Sequence, residues 1–478
     1  MIHSRHSFSN RIEWRIVICY FALILFGLVN IYSSSTGDAT AAWNWNSKYG
    51  MQLLWFGVVL VLDVLLLFAV PSRFFNVFVW WIFFVTMALL ALTIFVGTTV
   101  NGSKSWLVLG PLRLQPAEFS KIAVALAIAT VMEKFTFSFE NRRDVVRLAL
   151  LLLLPMGLIL LEKETGLALV FLGFLLVFYR EGMNRWVLPV GIAAIVLAIL
   201  SLVLSPFAAL LILAGMLLVW LTVERRDLNF LIFGGLAIAL TAYLPRLCRM
   251  EALAPVLGRL EPEHWLLILT APVAIFYIVR TLFRKREAVL RWTLAAYLIG
   301  AALILSTDTV VDKVLQEHQR LRIESLLGIR DDPMGAGYNV HQSMIAIGSG
   351  GFAGKGFLAG TQTRFDFVPE QSTDFIFCTV GEEWGFLGAC GVILCYILLI
   401  LFLISSAEKQ NNRFGRVYGW CVAACILMHV VINIGMTIGL MPVIGIPLPL
   451  VSYGGSSLMA FSILIFIYLR MCYEQRGR

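Results

Sequence analysis

Runs of roughly 20 predominantly apolar residues recur along the whole chain, and that length is what a helix needs to cross a bilayer. The runs begin near Trp14, Tyr49, Phe74, Glu118, Val146, Gly166, Trp186, Pro206, Leu228, His264, Val289, Thr373, Gly415 and Leu450. In hydrocarbon every backbone N–H and C=O must be satisfied internally, which leaves helices and closed barrels, and runs of this length suit helices. The expected fold is an all-α polytopic integral membrane protein with about 14 transmembrane helices. Composition agrees. Of 478 residues 60% are hydrophobic and only 14% charged, where a soluble protein carries about 25% charged residues. A soluble multidomain protein is excluded.

An even number of spans puts both termini on one side. With the N-terminus in the cytoplasm, 23 of the 37 Lys and Arg fall in inner segments, including Arg142, Arg143 and Arg147. Cytoplasmic loops are characteristically basic, so the N-in, C-in orientation is expected. The net charge of +8 therefore reads as membrane orientation rather than nucleic-acid binding. The first span, Trp14 to Ser34, lacks a small-residue cleavage pattern and reads as an uncleaved helix. The eight cysteines contain no CxxC and mostly lie in apolar spans, so no disulfide framework or metal site follows, and no cofactor is evident.

Two outer loops then stand out, about 97–115 and about 307–372, the second too long for a mere connector. In the first, Trp106 reads as an interfacial anchor. Gln115 and Pro116 lead into Glu118 and Lys121, which share a helix face at i and i+3. They either face a cavity or form a self-satisfied ion pair. Glu162-Lys163-Glu164-Thr165-Gly166, between two apolar runs, reads as a polar hairpin at the outer surface. The long loop carries a basic amphipathic stretch with Arg322, then a short apolar helix from Gln342 ending in glycines. Gly348 to Gly356, with Lys355, either presents backbone N–H groups to an anion or is a plain turn.

The next span opens near Thr373, with Ser372 or Thr373 as N-cap. Asp374 then falls in the first turn, where the helix dipole favours a carboxylate, and where it is also placed to act as a general base. At 100° per residue, Glu382 is displaced about 80° from Asp374 and Glu383 about 180°, so at most one shares its cavity. Between Met441 and Ser457, prolines and glycines break the helix near the membrane. Broken backbone there must be buried in protein or line a wet cavity.

In order, these pieces resemble the SEDS family (shape, elongation, division and sporulation). The run Asn433 to Ser457, with Met441-Pro442, Gly445-Ile446-Pro447 and Ser452-Tyr453-Gly454-Gly455, is similar to its C-terminal signature. Gln115-Pro116 with Glu118 and Lys121 resembles its Gln-Pro-Ser-Glu motif. Gly337-Tyr338, Gln342-Ser343, Gly354-Lys355-Gly356, Pro369-Glu370 and Thr373 to Phe377 follow its large loop. Ala346 to Gly350 with Lys355 favours the elongation branch over the division branch. The resemblance departs where Ser105 replaces the usual Arg before Trp106, and where Glu162 to Gly166 replaces Gln-Pro-Asp-Leu-Gly.

The resemblance implies a ten-helix core: N-terminal spans over 10–185, a core span over 289–306, the large extracytoplasmic loop over 307–372 and C-terminal spans over 373–475. About four spans, over 186–288, are inserted. It further implies a peptidoglycan glycosyltransferase of the bacterial cytoplasmic membrane, serving cell elongation and shape. Its substrates are lipid II and a glycan on undecaprenyl diphosphate, joined β-1,4 with inversion, and its partner is a class B penicillin-binding protein. Asp374 matches the family's essential aspartate. Glu118, Lys121, Gln115, Trp106, Arg322, Lys355 and Glu370 are the expected substrate-binding residues, with Lys121, Arg322 and Lys355 as cations for the diphosphate. A lipid II transporter and a non-catalytic scaffold for a transpeptidase are the competing readings. A transporter usually shows repeat symmetry and midplane charges, and neither stands out in the sequence.

Overall fold

The computed structural model describes residues 11–35, 45, 47–100, 103–109, 112–248, 262–282, 288–313, 320–321, 324 and 337–477. Contacts divide the chain into two compact units, 1–185 with 332–478, and 186–331.

The first unit is built from α1 (Trp14–Ser35), α2 (Lys48–Phe68), α3 (Ser72–Val96), α4 (Pro116–Glu133), α5 (Arg142–Leu161), α6 (Thr165–Val170) and α7 (Phe174–Arg180). After the long loop come α13 (Tyr338–Ser349), the single turn α14 (Thr361–Arg364), α15 (Ile376–Glu408), α16 (Arg413–Thr437) and α17 (Gly455–Gly477). The second unit holds α8 (Val187–Val203), α9 (Pro206–Arg225), α10 (Leu228–Cys248), α11 (Pro262–Thr281) and α12 (Ala288–Lys313). Helices begin within a few residues of every expected span start. Among the described residues, nine are long and apolar enough to cross a membrane, and three shorter apolar helices accompany them.

One addition to the all-helical expectation is a small antiparallel sheet, β1 (Thr98–Val100), β2 (Ser103–Leu109) and β3 (Leu112–Leu114), in the order β1-β2-β3. Thr98 pairs with Trp106, and Leu107 with Leu114. Thr98, Thr99, Val100, Trp106 and Val108 are β-branched or aromatic, which suits a pleated surface. The all-α reading missed it because the strands are too short for a period-2 pattern to emerge.

Centrally placed α4 and α16 are buried over most of their length, so their small and polar residues contact protein rather than lipid. A charge inside a span, passed over in the hydropathy reading, ties three helices together. The Tyr20 hydroxyl of α1 donates to Asp63 Oδ2 of α2 at 2.7 Å and meets Ser462 Oγ of α17 at 2.6 Å. At the chain-terminal end, Glu181 takes Arg180, Arg413 and Arg416, and Glu13 takes Arg476. In the second unit, Ala209, Leu213, Leu266, Tyr297 and Ile304 form a separate core. The stretch 289–306, expected as a core span, packs here against α8, α9 and α11.

Candidate active site

At the sheet end of the first unit, four breaks in helical structure converge: the sheet, the α5–α6 turn, the 350–375 segment and the loop between α16 and α17. Asp374 lies where the last two meet. The helix after it begins at Ile376, not Thr373, and Phe375 occupies the N-cap position without a side-chain cap. Asp374 is therefore outside the first turn, and the helical-wheel offsets to Glu382 and Glu383 do not extend to it. The reason is local. Glu370, with φ 53°, folds the chain into a turn whose carbonyl accepts from Thr373 N at 3.1 Å and Phe375 N at 3.2 Å. Neither proposed cap is available to the helix. Ser372 Oγ accepts from Lys48 Nζ at 2.9 Å, and Thr373 Oγ1 lies 3.1 Å from Glu370 Oε2.

The backbone around Asp374 is held from both sides. Asn433 Nδ2 donates to Asp374 O at 2.8 Å and to Ile446 O at 2.7 Å. Ser452 Oγ donates to Thr373 O at 2.5 Å, and Tyr453 N to Ser372 O at 2.9 Å. The half-buried carboxyl lies against Gly445. A Cβ there would sit 3.2 Å from Asp374 Oδ2, and φ of 68° adds strain for any larger residue. The Pro/Gly-rich signature thus forms a wall against the aspartate, which is how broken backbone at a bundle end is accommodated.

Glu118 and Lys121 resolve into a sealed ion pair. Lys121 Nζ is 2.5 Å from Glu118 Oε2, with the residues 1% and 0% exposed. The ammonium also sits 3.2 Å from His429 Nε2 and 4.0 Å from the Phe461 ring centre. His429 Nδ1 faces Cys425 O at 3.0 Å, so that nitrogen carries the proton and Nε2 accepts from the lysine. His429 and Asn433 are one turn apart on α16, so one helix face supports both the ion pair and the Asp374 backbone.

The glycine-rich run is neither an anion-binding nest nor a loose turn. Lys355 N and Gly356 N donate to Glu382 O and Glu383 O at 3.0 Å each, and Phe386 N donates to Gly351 O at 2.9 Å. These bonds replace the helical ones lost where α15 kinks at Gly385, whose φ of 66° and ψ of −161° are non-helical. A Cβ on Gly385 would meet Gly354 N at 2.2 Å. Lys355 itself pairs with Glu382 at 2.7 Å. That carboxylate also accepts from Gln362 N at 2.9 Å and from Thr363 N and Oγ1 at 2.8 Å each. Glu383 accepts from Ser33 of α1.

The remaining expected residues scatter around this core. Gln115, largely buried at the N-cap of α4, reaches Glu164 Oε1 at 3.4 Å, and Trp106 lies on β2. Glu370 is exposed, and Arg322 lies outside the described residues. The hairpin expected at the surface is partly interior. Glu162 is fully buried, while Lys163 is exposed with φ 66°. Sequence reasoning missed Lys48 and His429, and gave Asn433 only as the start of the C-terminal signature, with no site role. Each sits in or beside an apolar run, and only packing brings it to the site. Beside the sheet, a cavity of about 330 Å³ is lined by Phe75, Ile82 and Leu89 of α3, Phe119 and Ile122 of α4, and Ile463 of α17.

A family model described as "Cell cycle protein", covering the FtsW, RodA and SpoVE type, matches residues 13–220 and 271–477. The chain belongs to this family. Residues 221–270 lie between the two matched stretches. Peptidoglycan glycosyltransferase RodA of Treponema pallidum is 32% identical over 452 residues, covering 93% of this chain and 94% of the relative. Peptidoglycan glycosyltransferase MrdB of Escherichia coli K12 is 45% identical over 165 residues, 34% of this chain and 45% of that protein. Among solved structures, a chain of a peptidoglycan synthase complex superposes with a TM-score of 0.60 at 26% identity, covering 97% of this chain and 98% of its own. RodA of Thermus thermophilus, at 23% identity and a TM-score of 0.55, covers 98% of each chain and shares the fold of this FtsW/RodA/SpoVE-family protein.

Proposed function

We propose that this chain is a peptidoglycan glycosyltransferase that polymerises lipid II into glycan strands, with Asp374 as general base. The observation that carries the reading is the setting of Asp374. Its backbone is pinned by Asn433 and Ser452 while its carboxyl stays half-buried at the bundle end, beside Gly445. A sugar hydroxyl is a poor nucleophile, and a positioned base accelerates such attack about 10²–10⁴-fold. The proton leaves the acceptor hydroxyl for Asp374 as the new C–O bond forms and the diphosphate departs. The relatives' names and the match to a synthase complex support the same chemistry.

The leaving diphosphate needs positive charge. Lys48 is exposed and bonded to Ser372, two residues before Asp374, which makes it a nearer partner than the sealed Lys121. Glu118 and Lys121 shape the floor, Gln115 and Trp106 the sheet side, and Glu370 the turn. Lys355 and Arg322 contribute from the long loop. The apolar cavity beside the sheet suits an isoprenoid chain. The sheet end is extracytoplasmic, both termini are cytoplasmic, the chain makes about fourteen crossings, and a penicillin-binding protein cross-links the product. The 186–288 segment is an addition to the core.

Purified protein with its transpeptidase partner, supplied with lipid II, tests this. Wild type yields glycan polymer and a folded Asp374→Asn variant does not. Undiminished polymer from Asp374→Asn removes the general-base role, and lipid II crossing liposomes without polymer favours transport.

A further inference from the structure

The turn between α5 and α6 holds two carboxyl groups in opposite circumstances. Glu164 Oε1 receives Ser103 Oγ and Ser105 Oγ at 2.7 Å each, with Gln115 Nε2 at 3.4 Å. Burial raises this carboxyl above its ordinary value, while the Ser105 and Ser103 hydroxyls oppose that shift by favouring the ionised form. Glu162 is 0% exposed, and neither of its carboxyl oxygens has a hydrogen-bond partner. An unpaired ionised carboxylate in such a place is among the costliest groups a protein can bury.

Among the described residues, the surrounding elements offer it no compensating charge. On α4, Lys121 is taken by Glu118 and His429. On β2, Lys104 gives its ammonium to Phe95 O at 2.8 Å. In the turn itself, Lys163 is exposed and Glu164 is a like charge. On α3, the Thr93 hydroxyl reaches Glu162, but Leu89 O at 2.6 Å competes for its single proton. The geometry calls for a proton on Glu162.

The same turn anchors the strand that carries Trp106. Lys104 N donates to Glu162 O at 3.1 Å, and Ser103 and Ser105 both reach Glu164. We propose that Glu162 is a protonated positioning residue, and that its ionisation beside the hydrogen-bonded Glu164 carboxyl is a switch that loosens strand β2 and Trp106. The switch rests on this geometry; only its effect on polymerisation rests on the function proposed above.

Burial, with the neighbouring Glu164 carboxylate, pushes Glu162 up from the ordinary 4.5 to about 8. A carboxyl raised in the folded state contributes its full stability below the ordinary value and loses it as pH rises to the folded one. The turn is therefore tightest below about 4.5, loosens progressively as pH rises from there, and has no more to lose above about 8.

Hydrogen exchange of the full-length protein in lipid nanodiscs, corrected for intrinsic base catalysis, reads this directly. Protection of residues 103–109 is expected to fall by up to about tenfold per pH unit between about 4.5 and about 8 and to level off above. In Glu162→Gln, which stays neutral, protection is expected to remain flat, while Glu162→Asp retains the transition. Polymerisation by Glu162→Gln is expected to lose the part of the wild-type pH dependence that develops as pH rises from about 4.5 to about 8. Flat wild-type protection overturns the proposal without any variant, and so does an equal fall in wild type and Glu162→Gln. A protein that makes no polymer at any pH but shows the exchange transition defeats the glycosyltransferase reading and leaves the switch standing.

Discussion

Glu382 and Glu162 are both fully buried glutamates at the sheet end, and their surroundings could hardly differ more. Glu382 is met by Lys355, by two backbone N–H groups and by the Thr363 hydroxyl, all from the loop it organises. Among the described residues Glu162 is met by no cation and no backbone N–H, and the Thr93 hydroxyl beside it is shared with Leu89 O. The contrast shows that burial alone does not set what a carboxyl group does. The donors around it decide whether it is a fixed anion that builds structure or a neutral group poised to change. Asp374 is a third case, half-buried with its backbone fastened, and so suited to exchanging a proton with a ligand.

Breaking these three settings gives effects that fall in order. Asp374→Asn should reduce lipid II polymerisation by about 10²–10⁴-fold, with thermal unfolding unchanged, because the loss is chemical. Glu382→Ala should cost about 3 kcal/mol, measured by unfolding in detergent, since it strands Lys355 and three further donors. That figure is at the low end for a buried pair because Lys355 is 26% exposed. Gly385→Ala should cost about 2 kcal/mol by the same measurement, as it forces a side chain into the backbone of the segment that bridges the kink. Glu162→Gln should stay within about 0.5 kcal/mol of wild type near pH 4, where both groups are uncharged in folded and unfolded chain alike, and should be the more stable of the two at neutral pH. A loss from Glu162→Gln as large as that from Glu382→Ala would erase the distinction between the two sites.

Much of this was legible in the sequence. Hydropathy located the helices, and the order of polar motifs led to Asp374, Glu118, Lys121 and the Pro/Gly-rich signature. What remained hidden was pairing. Glu118 and Lys121 at i and i+3 were compatible with a cavity or an ion pair, and only the approach of His429 and Phe461 from α16 and α17 closed the question. Gly348 to Gly356 read as an anion nest or a turn because the kink it bridges lies some thirty residues further on, at Gly385. The 162–166 run read as a surface hairpin because polarity between apolar runs usually means solvent, and here strand β2 covers it.

By itself the sequence determined that this protein is a helical membrane bundle and where its polar motifs fall along the chain, because apolar length and local turn residues act over short stretches of chain. The tertiary structure alone decided the charge state and work of each buried carboxyl group. Those depend on donors that arrive from distant segments: Lys355 and Thr363 at Glu382, Ser103 and Ser105 at Glu164, and at Glu162 only a Thr93 hydroxyl shared with Leu89 O. In a low-dielectric interior, the presence or absence of such partners outweighs anything a residue's own identity specifies.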